Sequence, residues 1–124
     1  MNYVNEDNKL FSYYYPFIDP TPDKFTANPK YLCCDHFKDL PVIAKYLYGF
    51  MHDRLSLSIK NKWYDEQSHV YIIFTIEETM ELLNCSKTTA IKAHKCLEQY
   101  GLIQKEKSKG TRPDKIYVKM YLGN

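Results

Sequence analysis

Several features that mark enzymes, secreted proteins and membrane proteins are missing from this sequence. It has neither a G-x-x-x-x-G-K-[ST] phosphate loop nor a G-x-S-x-G nucleophile turn, and no paired histidines lie beside a nucleophilic tyrosine. No apolar run approaches the roughly 20 residues needed to cross a bilayer, and the N-terminus lacks the basic and then apolar layout of a signal peptide. These absences predict a cytoplasmic protein without catalytic activity or a membrane span.

Metal-binding patterns are missing as well. Of the four cysteines, Cys33 and Cys34 are adjacent while Cys85 and Cys96 stand apart, and no C-x-x-C or H-x-x-x-H spacing accompanies them. Structural zinc sites need such spacing, because tetrahedral coordination brings four side chains onto one ion. We expect reduced thiols, as is usual in the cytosol, and neither a metal nor a cofactor.

What the sequence does have is many tyrosines and an uneven distribution of charge. Residues 1–84 contain eight Lys and Arg against twelve Asp and Glu, a net charge of −4, whereas residues 85–124 contain nine against three, a net charge of +6. A weakly acidic body with a basic end indicates a polyanion partner, although a solvated lysine-rich surface explains the charge alone equally well. The twelve tyrosines predict half-buried positions at edges or interfaces.

The chain divides into an N-terminal arm, residues 1–31, and one domain, residues 32–124. Four prolines between Pro16 and Pro29 exclude a long helix from the arm. Its aromatic segment Leu10 to Ile18 is predicted to lie on the domain or on a partner. The domain opens with a helix from Leu40 to Ile59, capped by Asp39, and two short strands follow, Trp63–Asp65 and Val70–Phe74.

A helix-turn-helix comes next. Thr75 and Glu78 fit a capping box, and Asn84 suits the left-handed conformation that ends the short helix. Ser86 then caps a helix from Lys87 to Tyr100, and two helices joined by a tight turn are the signature of this motif. A basic loop, residues 107–114, and a strand, residues 116–121, follow as a hairpin. The order predicts an α+β fold, a winged helix-turn-helix over residues 74–122 with an aromatic N-terminal arm.

The two faces of the third helix predict its function. Ala90, Ala93, His94 and Leu97 recur at core-facing spacing, and His94 is expected to be a hydrogen-bonded interior histidine. The opposite face suits the major groove of duplex DNA, where side chains meet base edges and lysines meet phosphates. A helix that is merely solvated by its lysines is the alternative. The predicted DNA-binding residues of this helix are Lys87, Thr88, Thr89, Ile91, Lys92 and Lys95.

The hairpin is predicted to bind DNA as a wing. Its cations would neutralise phosphates, and Arg112 could enter a minor groove. A solvated surface hairpin is again the alternative. The predicted DNA-binding residues of the wing are Lys105, Lys107, Lys109, Arg112 and Lys115.

Three stretches, D-R-L-S-L-S at 53–58, V-Y-I-I-F-T at 70–75 and M-E-L-L-N-C-S-K at 80–87, resemble the N-terminal domain of the RepA_N family of plasmid replication initiators from staphylococcal and related low-GC Gram-positive plasmids. The resemblance covers about residues 37–121. It implies a homodimer that binds double-stranded DNA repeats (iterons) at a plasmid origin to start replication. It also implies a further C-terminal domain, absent from this chain, for contact with replisome or primosome proteins. One departure is His94, where the family pattern favours leucine.

Two other functions use the same surface. A winged-helix transcriptional regulator would bind an operator through this face, and a winged-helix protein-interaction module would not need the lysines. Dimerisation is a separate hypothesis that rests on the aromatic arm and on the apolar strand Val70–Phe74. We expect that strand to be paired within the sheet, because an unpaired apolar edge promotes aggregation.

Overall fold

The structure is a computed structural model, and it describes residues 11–17, 32 and 35–122. Cys33, Cys34 and most of the predicted arm lie outside these ranges. The elements of the described chain, in order, are β1 (Phe11–Tyr13), a 3₁₀ turn (Asp35–Phe37), α1 (Val42–Lys60), α2 (Ile76–Leu83), α3 (Lys87–Gln99), β2 (Ile103–Glu106) and β3 (Lys115–Tyr121).

The strands form one antiparallel sheet in the order β1-β3-β2. β2 and β3 are the two arms of the predicted hairpin, in a register that pairs Ile103 with Val118. β1 comes from the predicted N-terminal arm and pairs Phe11 with Tyr121. Residues 11–13 of the arm therefore lie on the domain, which is one of the two positions, domain or partner, that we expected for the aromatic segment. The boundary at residue 31 stays a prediction.

The two predicted strands between α1 and α2 form only single bridges, Tyr64 with Val70 and Ile72 with Ile116. The Val70 amide donates to the carbonyl of Tyr14 at 2.8 Å, whereas Ile72 exchanges hydrogen bonds of 2.8 and 2.9 Å with Ile116. Because consecutive pairs use different partners, no ladder forms and the strand prediction is wrong. The pairing that we expected for this segment is present only as these single bridges, and Val70 is fully buried.

α1 crosses the core and begins two residues later than predicted. Pro41 takes the cap position in an extended conformation, with φ −57° and ψ 145°, and makes no side-chain cap hydrogen bond. Its carbonyl accepts instead from the amides of Ala44 and Lys45. The predicted cap at Asp39 is therefore wrong, because Leu40 directly precedes proline and is disfavoured from helical backbone, so the helix begins only after Pro41. Among the described residues, no helix is both long and apolar enough to cross a membrane.

The buried face of α1 meets the inner face of the sheet and the helix-turn-helix. Leu47, Met51 and Leu55 are fully buried on this face. Ile116 and Val118 reach the same core from β3. α1 therefore supports both the sheet and the helices that carry the predicted DNA-binding face. The arrangement is the predicted α+β winged helix-turn-helix.

Candidate nucleic-acid interface

The turn between α2 and α3 has the predicted hydrogen bonds. The Glu78 amide donates to Thr75 Oγ1 at 3.0 Å, and the Thr75 amide donates to Glu78 Oε1 at 3.4 Å, which completes the capping box. Asn84 ends α2 in the left-handed region with φ 52° and ψ 52°. Ser86 Oγ then accepts from the Thr89 amide at 3.2 Å and caps α3. These local bonds fix where α3 begins.

α3 buries one face and exposes the other. The buried face consists of Ala90, Ala93, His94 and Leu97, as predicted. Because two of these residues are alanines, the backbone of α3 can lie close to its neighbours. Thr89 and Ile91 are half-buried at the border between the faces. The exposed side chains from the predicted DNA-binding set are Lys87, Thr88, Lys92 and Lys95.

The two threonines at the start of α3 differ in their freedom to bind a base edge. Thr88 is exposed. Thr89 Oγ1 accepts a hydrogen bond from Ser86 Oγ at 3.0 Å, so its orientation is fixed within the cap. Its own hydroxyl proton is still able to donate. Thr88 is therefore the more adaptable side chain of the two, and Thr89 the better oriented one.

The loop of the wing is tied across its base. The Ser108 amide donates to Asp114 Oδ1 at 3.2 Å, and Ser108 Oγ donates to the carbonyl of Pro113 at 2.8 Å. Gly110 takes a positive φ of 69° at the tip. These bonds hold the loop as a compact projection. Its exposed cations are Lys107, Lys109 and Arg112.

Lys105 and Lys115 lie on opposite faces of the wing. Lys105 pairs in register with Ile116, and alternation along β3 puts Lys115 on the other face. Lys105 is half-buried and lines a cavity between the wing and the start of α2, together with Arg112. Burial lowers the pKa of Lys105. The Lys115 Nζ lies 4.8 Å from the centre of the Tyr71 ring, on the outer face.

His94 is the interior histidine that the sequence predicts. Its Nε2 lies 2.8 Å from Thr79 Oγ1, and this hydroxyl donates to the Thr75 carbonyl at 3.0 Å. The Thr79 proton is thus already used, so Nε2–H of His94 is the donor. Burial, with a smaller effect from Lys105, lowers the pKa of His94 to about 4. His94 is neutral at physiological pH and joins α2 to α3.

Comparison with known proteins shows the family of this chain. A family model described as the N-terminus of replication initiator protein A (RepA) matches residues 24–124. The chain belongs to the RepA_N family. A curated relative from Lactobacillus helveticus, named "41 kDa protein", is 34% identical over 103 residues, which are 76% of this chain and 29% of that protein. The chain thus spans less than a third of that relative.

Solved structures of related chains have the same fold. One is described as the N-terminal domain of a DNA-binding protein; it is 34% identical, has a TM-score of 0.69, and the match covers 78% of this chain and 75% of that one. Another is described as the structure of a Rep–DNA complex, with 34% identity, a TM-score of 0.68, and coverage of 77% and 75%. These matches confirm the winged helix-turn-helix in a RepA_N protein.

In this RepA_N domain the predicted site residues are not all on one surface. α3 packs against β2, and Lys105 on β2 lies near enough to α3 to lower the pKa of His94, so the Lys105 side of the wing faces α3. Lys115 is separated from that side by the thickness of the hairpin. That these residues contact DNA remains a prediction.

Sequence reasoning missed Arg54, which contacts the start of α2 from α1. One feature of the sequence indicates this role of Arg54. Arg54 adjoins the buried Leu55 and follows the buried Met51 by one helical turn, so it lies at the border of an apolar face. A long cation at such a border can bury its stem and reach a neighbouring element with its charged end.

Proposed function

We propose that this RepA_N domain binds double-stranded DNA repeats at a plasmid origin and thereby starts replication. The observation that carries the proposal is the division of α3 into a fully packed face and an opposite face of exposed lysines and threonine. Membership of an initiator family and a related structure described as a Rep–DNA complex support it.

The exposed face of α3 suits the major groove. Thr88 and Thr89 at its start would donate to or accept from base edges, and Ile91 would contact a thymine methyl group. Lys92 and Lys95, one and two turns further on, would bind phosphates and set the register. The division of labour follows from position, because the first turn of a recognition helix reaches deepest into the groove.

The wing would contact the backbone beside that groove. Lys107, Lys109 and Arg112 are exposed around the tied loop, and Arg112 has the length and charge to enter a narrow minor groove. Lys105 would act from the inner side, where it lines the cavity at the start of α2. Lys115 would contribute least, because its charge lies over the Tyr71 ring on the outer face.

The protein would work as a homodimer in the cytoplasm, by binding rather than by catalysis. Residues 11–13 and Val70 are used inside the protomer, so the arm and the 70–74 segment give this proposal less support than the sequence suggested. Exposed apolar side chains on α1 support it better, with Val42 65% and Tyr46 58% exposed. Sedimentation should give a dimer mass for the wild type and a monomer mass for Tyr46→Glu.

Contact with replisome or primosome proteins would need chain beyond this domain.

DNase footprinting on the plasmid origin, at two salt concentrations, tests the proposal. We expect protection at regular intervals that weakens steeply as salt rises, because phosphate contacts release counterions. One isolated protected site near a promoter would favour a transcriptional regulator instead. DNA binding unchanged in the double variant Lys92→Ala with Lys95→Ala would contradict the assignment of α3 and favour a protein-interaction module.

A further inference from the structure

Arg54 makes three contacts with the chain that enters the helix-turn-helix. Its Nη1 donates to the carbonyl of Ile73 at 3.3 Å, and its guanidinium carbon lies 4.7 Å from the centre of the Phe74 ring. Its Nη2 donates to Glu78 Oε2 in the first turn of α2. One planar group on α1 thus holds both the segment before α2 and α2 itself.

From Glu78 the polar contacts continue to α3. The other oxygen of the Glu78 carboxylate accepts from the Thr75 amide in the capping box. The Thr75 carbonyl accepts from Thr79 Oγ1, and that hydroxyl in turn accepts from His94 on α3. Arg54 and His94 are therefore the ends of one chain of hydrogen bonds that crosses all three helices.

We propose that Arg54 is a positioning residue for DNA recognition, which sets the orientation of α2 and α3 on α1 without contacting DNA itself. The inference rests on the proposed function. Both Arg54 and Glu78 are 32% exposed, and an ion pair that is open to water contributes little stability. The effect of Arg54 is therefore geometric. A planar guanidinium fixes the angles to several partners at once, which an ammonium cannot do.

A small rotation of α3 should affect base contacts more than phosphate contacts. Hydrogen bonds to base edges are directional and lose strength steeply as the angle departs from linear. The attraction of a lysine to a phosphate is mainly Coulombic, so it varies with distance and depends little on angle. Loss of Arg54 should therefore reduce sequence specificity while the electrostatic part of binding stays intact.

Binding measurements on two duplexes test the proposal. The probes are a duplex that the wild-type protein enriches from a random library and a shuffled duplex of equal composition. Arg54→Met keeps an unbranched aliphatic stem and removes the charged fork, together with its contacts to Ile73, Phe74 and Glu78. Lys60→Met is the matched control, because it removes the same charge from an exposed position on the same helix. Dissociation constants are measured at four salt concentrations.

For Arg54→Met we expect Kd for the enriched duplex to rise at least about tenfold, with Kd for the shuffled duplex within about twofold of wild type. The salt slope should not change, and Lys60→Met should keep the wild-type specificity ratio. A slope lower by about one would mean that Arg54 binds a phosphate directly, which overturns the proposal. An unchanged specificity ratio in folded Arg54→Met overturns it as well.

Two further variants keep the test decisive if Arg54→Met does not fold. Arg54→Lys keeps the charge but not the fork, and should still lose at least about threefold in affinity for the enriched duplex; wild-type binding would contradict the proposal. Adding Glu78→Gln to Arg54→Lys should cause little further loss, because both act in one chain of contacts. Failure of the wild type to enrich any duplex would instead refute the proposed function itself.

Discussion

The helix-turn-helix side and the sheet side of this domain each contain a buried histidine that meets one hydroxyl group. His94 on α3 meets Thr79 at 2.8 Å, fifteen positions away in sequence. His52 on α1 meets the hydroxyl of Tyr14 at 3.0 Å, thirty-eight positions away. Burial lowers the pKa of both histidines to about 4. The chemistry is the same, but one pair joins near neighbours and the other joins the N-terminal arm to α1.

The other contacts of the two sides differ in the same way, because one side uses partners close in sequence and the other uses distant partners. The ends of α2 and the start of α3 are defined by caps whose hydrogen-bond partners lie three or four residues apart in sequence. The sheet side depends on distant pairs, such as Tyr13 stacked on His69 with ring centres 3.7 Å apart. Tyr117 Oη donates to Asp65 Oδ2 at 3.1 Å across the same surface, and burial raises the pKa of Tyr117. The recognition elements are therefore locally encoded, whereas the support beneath them is assembled by tertiary contacts.

Acid should act on both sides at once, and this is the largest effect that we expect. Because the folded pKa of His52 and of His94 lies below the ordinary value of 6.5, the unfolded chain binds protons first as the pH falls. Stability is complete above pH 6.5 and declines down to about pH 4. Each histidine should contribute about 3 kcal/mol to this loss, measurable by urea unfolding across that range.

The variant His94→Leu separates the two sides. It places at position 94 the residue that the family pattern favours, and it should keep only the part of the pH dependence that His52 causes. The difference between the wild-type and variant profiles then belongs to the helix-turn-helix. Identical profiles would show that His94 is not buried in its neutral form.

Removal of the hydroxyl partners should distinguish structural support from DNA recognition. Tyr14→Phe and Thr79→Val each leave a buried imidazole nitrogen without its partner, which costs about 1 to 3 kcal/mol in the free energy of unfolding. Only Thr79→Val should also weaken DNA binding, because Thr79 joins α2 to α3. Denaturant unfolding and binding to the enriched duplex measure the two effects. Equal losses of DNA affinity would contradict the division.

The same distinction explains which parts of the fold could be predicted. Thr75, Asn84 and Ser86 have the roles that local rules assign to their residue types, so the helix-turn-helix was predicted closely. The Tyr14–His52 pair has no local signature, because nothing near either residue indicates the other. The residues of segment 70–74 favour extended backbone and therefore predict a strand, but successive amides donate to Tyr14, Trp63 and Ile116, and only tertiary contacts decide these partners. Lys115 was assigned to the wing by charge alone, because its position on the face opposite Lys105 depends on the register between β2 and β3, which has no local signature.

Two glycines test how closely the sides are joined. Gly101 has φ +83°, and a Cβ there would lie 2.9 Å from Phe11 Cε2 on the arm; Gly110 has φ +69° with nothing within 4 Å. Alanine at either position should cost about 1 kcal/mol for the left-handed backbone. Gly101→Ala should cost about 1 kcal/mol more, because Phe11 must move. Combining it with Phe11→Leu should reduce that excess, and equal costs at both glycines in thermal unfolding would show that β1 is only loosely attached.

The smallest effect concerns two lysines that sequence reasoning treated alike. Lys95 is exposed on the outer face of α3, whereas the Lys115 ammonium lies over Tyr71 on the far side of the wing. Lys95→Ala should weaken binding to the enriched duplex about tenfold and lower the salt slope by about 0.9, as expected for one lost phosphate contact. Lys115→Ala should leave the slope unchanged. Because both variants remove one positive charge, any effect of net charge is the same in each. Equal slopes for the two variants would mean that the DNA reaches both faces of the wing, and the interface would then extend to the aromatic surface of the sheet.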